Sequence, residues 1–360
     1  EKRTEQGAVL KTGKGLLRTA LVYPNTYQTG MSSLGFQKVY TLINQLNSVA
    51  CERVFLPDKK TGAPVPASEE SGLPLHQFDI IFFSISFEND FIHIAQLLVQ
   101  SGIPLRSSDR NHTHPLVIAG GVACFLNPQP IAPFIDCFLL GEAECLLKPF
   151  FDLFFDTPGS PLLTTIESSL PGAYVPSLHT ANQSFQITVQ YLETLKDTIT
   201  TSCILTRNAA FKDLFLIEIL KGCPHGCRFC SAGFIYRPPR VYPLENICTA
   251  IESASGRTDK IGLVSSAIAD HPDIDSICSF AITRGFQLSF SSLRADLLND
   301  NLVQALSRSK VKTATIAPEA GSERMRQTIN KQITEPDILS AAQRLVEAGI
   351  MNLKLYFMIG

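Results

Sequence analysis

The chain has 360 residues, 45% of them apolar and 18% charged, so it can bury a substantial core and is not a long disordered segment. Lys plus Arg number 31 against 33 Asp plus Glu, a net charge of -2, and no global basic field marks a nucleic-acid or anionic-membrane partner. At roughly 150 residues per domain, the length predicts two domains.

Residues 17–23 form a short apolar run ending at Pro24, a predicted strand. Leu34, Val39, Leu42, Ile43 and Leu46 then recur at helical spacing. Arg53 to Leu56 is the next candidate strand, and Pro57 to Pro74, rich in Pro, Gly, Ser and charge, is an expected surface loop. Phe78 to Phe87 reads as a buried parallel strand and Ile92 to Val99 as a helix. Leu116–Ala119 and Cys137–Leu140 each run into glycine. This alternation predicts a doubly wound parallel sheet over residues 1–150. The apolar stretch 116–147 is broken by Pro128, Pro130, Pro133, Asp136, Glu142 and Glu144, so it is no membrane span. Residues 151–210 are richer in Pro, Ser and Thr and read as a linker. Ser184 to Tyr191 alternates like an exposed strand, a small β addition.

From 211 to 360 the alternation resumes. Strands are predicted at 214–220, 260–264, 287–291, 313–316 and 353–359, with helices at 243–254, 272–284, 296–308, 322–330 and 335–348. Five β–α steps without reversal predict a β/α barrel. Because the chain begins at Glu1 and stops at Gly360 in an apolar run, it reads as a fragment with the barrel truncated. Nothing at the start resembles a signal peptide, so a cytoplasmic, non-membrane protein is expected.

Ten cysteines without a secretion signal argue against disulfides. Seven are scattered, most of them among apolar neighbours, as small buried hydrophobes are. Cys223, Cys227 and Cys230 are not: they form C-x3-C-x2-C directly after the first strand of the second half, a spacing that chance supplies roughly 0.008 times in such a chain. Thiolates are the ligands of iron–sulfur clusters, and three of them leave one iron of a four-iron cluster open. Structural zinc would need a fourth ligand, for which His225 and Cys203 are the nearby candidates.

With an aromatic before the third cysteine, this motif resembles the signature of the radical S-adenosylmethionine (SAM) superfamily. The resemblance implies a 4Fe-4S cluster on Cys223, Cys227 and Cys230 and SAM chelated by the open iron, with reductive cleavage to a 5′-deoxyadenosyl radical. It implies Phe229 near the adenine, Ser265 and Ser266 at the SAM amino group, and Arg294 at its carboxylate. Glu319 falls in a segment, Glu319-Ala320-Gly321-Ser322, resembling one of the methylthiotransferase and Elongator-type branches. Glu319 with Gly321-Ser322 would alternatively cap the next helix. Arg228 and Lys221 would add positive charge near the cluster, and His271 is a weaker candidate lining residue.

The first half resembles the cobalamin-binding-like, Rossmann-type domain of one radical SAM branch through Gly120-Gly121, Asn127-Pro128-Gln129-Pro130, Asp136 and Gly141-Glu142. Where that fold often carries D-x-H-x-x-G, this chain has Asn25 and Tyr27 in place of Asp and His, so histidine-ligated cobalamin is not expected. Cobalamin held without a protein ligand stays open. Over nearly its full length, the chain resembles an uncharacterised family of cobalamin-binding-domain-containing radical SAM proteins. The implied partners are a low-potential donor such as flavodoxin or ferredoxin, a substrate (RNA, protein or small molecule), and a separate or missing C-terminal domain. The alternatives are radical chemistry on a small molecule, a non-catalytic iron–sulfur redox or electron-transfer protein, and a scaffold.

Overall fold

The computed structural model describes residues 3–57, 65–159, 161–179 and 186–359. The chain divides into one unit of Glu1–Glu193 with Cys203–Lys212 and another of Thr194–Ser202 with Asp213–Gly360.

In chain order, the first unit contains β1 (Leu17–Tyr23), α1 (Leu34–Gln45), β2 (Val49–Phe55), β3 (Ile80–Ser84), α2 (Phe91–Gln100), β4 (Leu116–Gly120) and β5 (Cys137–Leu139). These are followed by α3 (Ala143–Asp156), α4 (Leu162–Ser169) and β6 (Ala173–Tyr174). The sheet order is β2-β1-β3-β4-β5-β6, parallel throughout except for the last pair. Leu21 and Tyr23 of β1 join one apolar layer with Phe36, Phe82 and Phe150, while Ala20 and Val22 join another with Ile81, Phe83 and Ile94. Successive strand side chains point to opposite faces, so a strand buried at nearly every position requires helices on both sides. That is the doubly wound sheet the apolar runs predict.

The winding reverses between β1 and β3, which opens a crevice at their carboxyl ends. The Asn25 amide donates to Asp90 Oδ1 there at 2.7 Å. Gly121, with φ 101°, lets the turn after β4 lie against the backbone of Ile85, where a Cβ would come within 2.4 Å of the carbonyl oxygen.

Four expectations need correction. The second strand begins at Val49, not Arg53, because two charges interrupt its apolar pattern, yet Glu52 and Arg53 are both buried. The segment expected to be a surface loop is only partly so. Residues 58–64 lie outside the described residues, but Glu70 is drawn onto Arg53 and buried with it. The stretch 151–210 is not a linker: α3, α4 and β6 belong to the first unit, and β6 adds the antiparallel strand. Residues 200–202 instead run antiparallel to the first strand of the second unit through Ser202 N–H to Leu216 O and Glu218 N–H to Thr200 O, both 2.9 Å. Of the exposed strand expected at 184–191, residues 184 and 185 lie outside the described residues. The remainder is irregular apart from a bridge between Gln190 and Gly141.

The second unit runs β7 (Phe215–Glu218), α5 (Leu244–Ser253), β8 (Lys260–Val264), α6 (Ile274–Thr283), β9 (Gln287–Phe290) and α7 (Asp300–Arg308). It continues with β10 (Thr313–Glu319), α8 (Glu323–Thr328), α9 (Glu335–Glu347) and β11 (Asn352–Phe357). β7, β8 and β9 pair in parallel, as do β10 and β11, and a parallel Leu293–Ile316 bridge joins the two sets. Each strand therefore lies beside its predecessor, the succession of a β/α barrel. Local signals start the helices: Asn299 caps α7, and Thr334 with Asp337 forms a capping box on α9.

Candidate functional site

Leu220–Lys221 pairs antiparallel with Arg240–Val241 and closes the neck of a loop at the carboxyl end of β7. Inside the neck the chain touches itself twice. Gly222 has φ 81° and lies so close to Tyr236 that a Cβ would come within 2.3 Å of its carbonyl oxygen; at Gly233 a Cβ would come equally close to the His225 carbonyl oxygen. Only glycine permits both approaches, and they coil the cysteine segment tightly.

Cys227 is buried, Cys223 and Cys230 are half-buried, and all three are free thiols. The Cys230 N–H donates to the Cys227 carbonyl at 3.2 Å. Burial pushes the Cys223 thiol up, and the charges of Asp270, Cys227 and Cys230 add to that, so the Cys223 sulfur lies within electrostatic reach of the other two. Among the described residues no three His, Cys, Asp or Glu side chains converge on a single metal-ion position. A cluster asks for something different, with each thiolate on its own iron, and three neighbouring thiols in one coil fit that donor set.

The segment after α8 braces this loop. Ile329 O accepts from Arg228 N–H at 3.0 Å, and Thr328 O accepts from the Arg228 guanidinium at 2.5 Å. The Asn330 amide donates to Gly226 O at 2.8 Å. Arg228 is thus tied to carbonyl groups, and Lys221 lies 3.6 Å from Glu218. On another side, Asp270 holds the His225 ring with Nε2 2.9 Å from Oδ1.

The remaining expected site residues all sit at the carboxyl ends of strands. Ser265 accepts from Ala267 N–H at 3.0 Å, its carbonyl accepts from the Ser291 hydroxyl at 3.1 Å, and Ser266 is exposed. Arg294 is bound in bidentate fashion to Asp296 at 3.0 and 2.8 Å and also donates to Lys331 O at 3.2 Å. Glu319 adopts φ 68°, a left-handed conformation costly for a residue with a Cβ, and its carboxylate lies 3.4 Å from Lys331 Nζ. Ser322 is the residue that caps α8. Phe229 stands 42% exposed at the loop surface. Lys331 and Asn330 carry no sequence motif, and nothing in the chain's local pattern points to them.

His271 does not line the site. It is buried, its Nδ1 accepts from Asp273 N–H at 3.1 Å, and Nε2 lies 3.1 Å from Tyr242 O. Burial lowers its pKa from 6.5, the Tyr242 carbonyl and Asp273 pulling the other way, so the folded ring stays neutral where the unfolded one takes a proton. Its contribution to stability is complete above pH 6.5 and is lost as pH falls below that value toward the lowered folded pKa. A His271→Gln variant should therefore show a flatter pH dependence of melting temperature between about pH 6.5 and 5 than the parent. Identical slopes would contradict this reading.

A parallel α/β unit is followed by a β/α succession of the barrel type that carries a three-cysteine loop at the carboxyl end of its first strand. Residues 35–176 match the family of radical SAM proteins, N-terminal, and residues 217–360 match the radical SAM superfamily. The uncharacterized protein MJ0966 of Methanocaldococcus jannaschii is 32% identical over 355 residues, covering 96% of this chain and 70% of that protein. The chain belongs to the radical SAM superfamily, whose members are enzymes using a 4Fe-4S cluster, SAM, a reductant and a substrate.

The fold is similar to that of OxsB, a cobalamin-dependent SAM radical enzyme solved with aqua-cobalamin and SAM bound. The TM-score is 0.65 at 15% identity, and the match covers 96% of this chain and 50% of that one. It is also similar to TsrM, a radical SAM methyltransferase from Kitasatospora setae solved with cobalamin and a [4Fe-4S] cluster, with TM-score 0.59 at 12% identity, over 96% of this chain and 70% of that one. The chain thus spans half the length of the OxsB chain it matches. These likenesses establish the fold. Among the described residues no helix is long and apolar enough to cross a membrane.

Proposed function

We propose that this chain forms the cofactor-binding part of an enzyme that cleaves SAM reductively and modifies an RNA, a protein or a small molecule. The three-cysteine coil carries the reading: its self-contacts at Gly222 and Gly233 leave three free thiols together at the carboxyl end of the first barrel strand. Cys223, Cys227 and Cys230 hold the cluster, while Phe229, Ser265, Ser266, Arg294 and Glu319 face SAM. When bound, the reduced cluster and SAM supply the 5′-deoxyadenosyl radical. The protein's part is to orient the two and exclude water. A flavodoxin- or ferredoxin-type donor supplies the electron, and a reducing, cytoplasmic setting suits a solvent-reachable iron. A non-catalytic iron–sulfur redox protein would share the cluster but not SAM cleavage. The test is anaerobic reconstitution of the full-length protein with iron and sulfide, then reduction with SAM: 5′-deoxyadenosine supports the enzyme, and a stable cluster that yields none favours the redox protein.

For the first unit, we propose that residue 27 supplies no cobalt ligand. The Tyr27 hydroxyl donates to Glu5, its ring packs on Phe55 at 5.1 Å between centroids, and the residue is 4% exposed. Protein loaded with cob(II)alamin should then give the same cobalt paramagnetic resonance spectrum in the parent and in Tyr27→Phe; a cobalt signal that changes with the loss of the hydroxyl would overturn the reading.

A further inference from the structure

Three of the residues assigned above to the SAM side, on three different segments, converge on a fourth that has no place in the motifs. The Lys331 ammonium lies 3.4 Å from Glu319 Oε1 at the end of β10 and 5.8 Å from the centroid of the Phe229 ring in the cysteine loop. Its carbonyl accepts from Arg294 after β9 at 3.2 Å. The neighbouring Asn330 ties the same segment to the Gly226 carbonyl at 2.8 Å.

A lysine only 8% exposed carries a desolvation cost, which here is met by one carboxylate at 3.4 Å and one ring face. The backbone around it is also strained, with φ of 68° at Glu319 and 56° at both Asn330 and Gln332. Buried charge and left-handed residues at one place are what a site held in a set geometry requires, and neither is needed to close a barrel.

We propose that Lys331 is a positioning residue for SAM: its ammonium orients the Glu319 carboxylate and the Phe229 ring, and its backbone anchors Arg294. The inference rests on the functional reading above. It separates two tasks within one segment, with Asn330 and Ile329 holding the cysteine loop and Lys331 setting the groups that meet the cofactor. A methionine at 331 keeps most of the buried volume but leaves Glu319 without its cation. An arginine restores the charge, with a different donor geometry.

The experiment is a SAM titration of the reduced, reconstituted full-length protein, following the change SAM causes in the paramagnetic resonance spectrum of the cluster. Iron content and the cluster absorption spectrum are measured on the same samples. Lys331→Met should keep iron and absorption at the parent level while requiring about tenfold more SAM for half the spectral change, with Lys331→Arg recovering most of the loss. Glu319→Gln, which leaves Lys331 in place, should weaken SAM binding in the same direction. Parent-like titration of Lys331→Met overturns the proposal. So does iron loss in proportion to SAM affinity, which would make Lys331 part of the loop's scaffold. If the parent itself holds a cluster whose spectrum does not respond to SAM, the functional reading fails whatever the variants do, and the role of Lys331 falls with it.

Discussion

Changing Cys227 to alanine should abolish reductive SAM cleavage while leaving both units folded. Cys227 is the most enclosed of the three cysteines, and its carbonyl receives the Cys230 N–H, a backbone contact that alanine retains. Losing one sulfur removes little packing but leaves two thiolates for a cluster that requires three from this loop. We expect 5′-deoxyadenosine formation to fall by roughly 10³-fold or more, to background, because the chemistry resides in the cofactor and not in groups that could substitute for it. Iron content should fall with it, and the melting temperature should change little. The control is Cys248→Ser, a half-buried thiol on α5 outside the loop, which should retain iron and activity. A Cys227→Ala protein that still cleaved SAM would refute the assignment of the loop.

The second large effect belongs to the first unit. Arg53 is 1% exposed on β2, with its guanidinium shared between Glu5 at 2.7 Å and Glu70 at 2.6 Å. It also lies against Met31 Sδ at 3.2 Å and over the Tyr40 ring at 5.3 Å. Burial opposes charge at Glu5, but hydrogen bonding and attraction to Arg53 win and hold it below the usual carboxylate range. At Glu70 burial prevails and pushes the carboxyl up despite the same cation. Arg53→Met strands both carboxylates in a site that cannot solvate them, and should destabilise the unit by about 3–5 kcal/mol. Adding Glu5→Gln and Glu70→Gln should recover a large part of that loss, since the cost lies in unpaired charge more than in missing contacts. Denaturant unfolding of the single and triple variants measures both. If the triple variant is no more stable than Arg53→Met, the destabilisation is a packing defect.

This charge network also bears on the cobalamin question. Glu5 links Arg53 to the Tyr27 hydroxyl, so the residue standing where a cobalt-ligating histidine would be expected is committed to the unit's own interior. Sequence alone shows the substitution. Only the fold shows that Tyr27 is already partnered.

Features with a local signature are legible in the chain alone. The cysteine spacing is one, because ligands in a single loop must be near each other in sequence. The buried parallel strands are another: β8 is expected at 260–264 and is found there, since a continuous apolar run is itself the requirement for burial on both faces. The start of α9 is another: it is expected at 335 and begins at Glu335, where Thr334 and Asp337, three residues apart, form the cap.

Features that the chain hides have the opposite character. Strand β2 reads as too short because Glu52 and Arg53 look exposed until Ser68, Glu5 and Glu70 arrive from distant segments to satisfy them. Residues 151–210 read as a linker because their Pro, Ser and Thr content does not reveal that α4 and β6 continue the first unit. His271 reads as a candidate lining residue and His225 mainly as a zinc alternative, yet the fold buries the first and pairs the second with Asp270. Lys331 is invisible in sequence because its significance comes from Phe229, Arg294 and Glu319, residues 102, 37 and 12 positions away in the chain. The sequence by itself determined the succession of elements and the closeness of the three cysteines in one loop, since hydrophobic period, caps and short spacings act over a few residues. The tertiary structure alone decided which charges are buried, what satisfies them and which side chains meet at the site, because those pairings are selected by contacts between segments that have no local means of recognising one another.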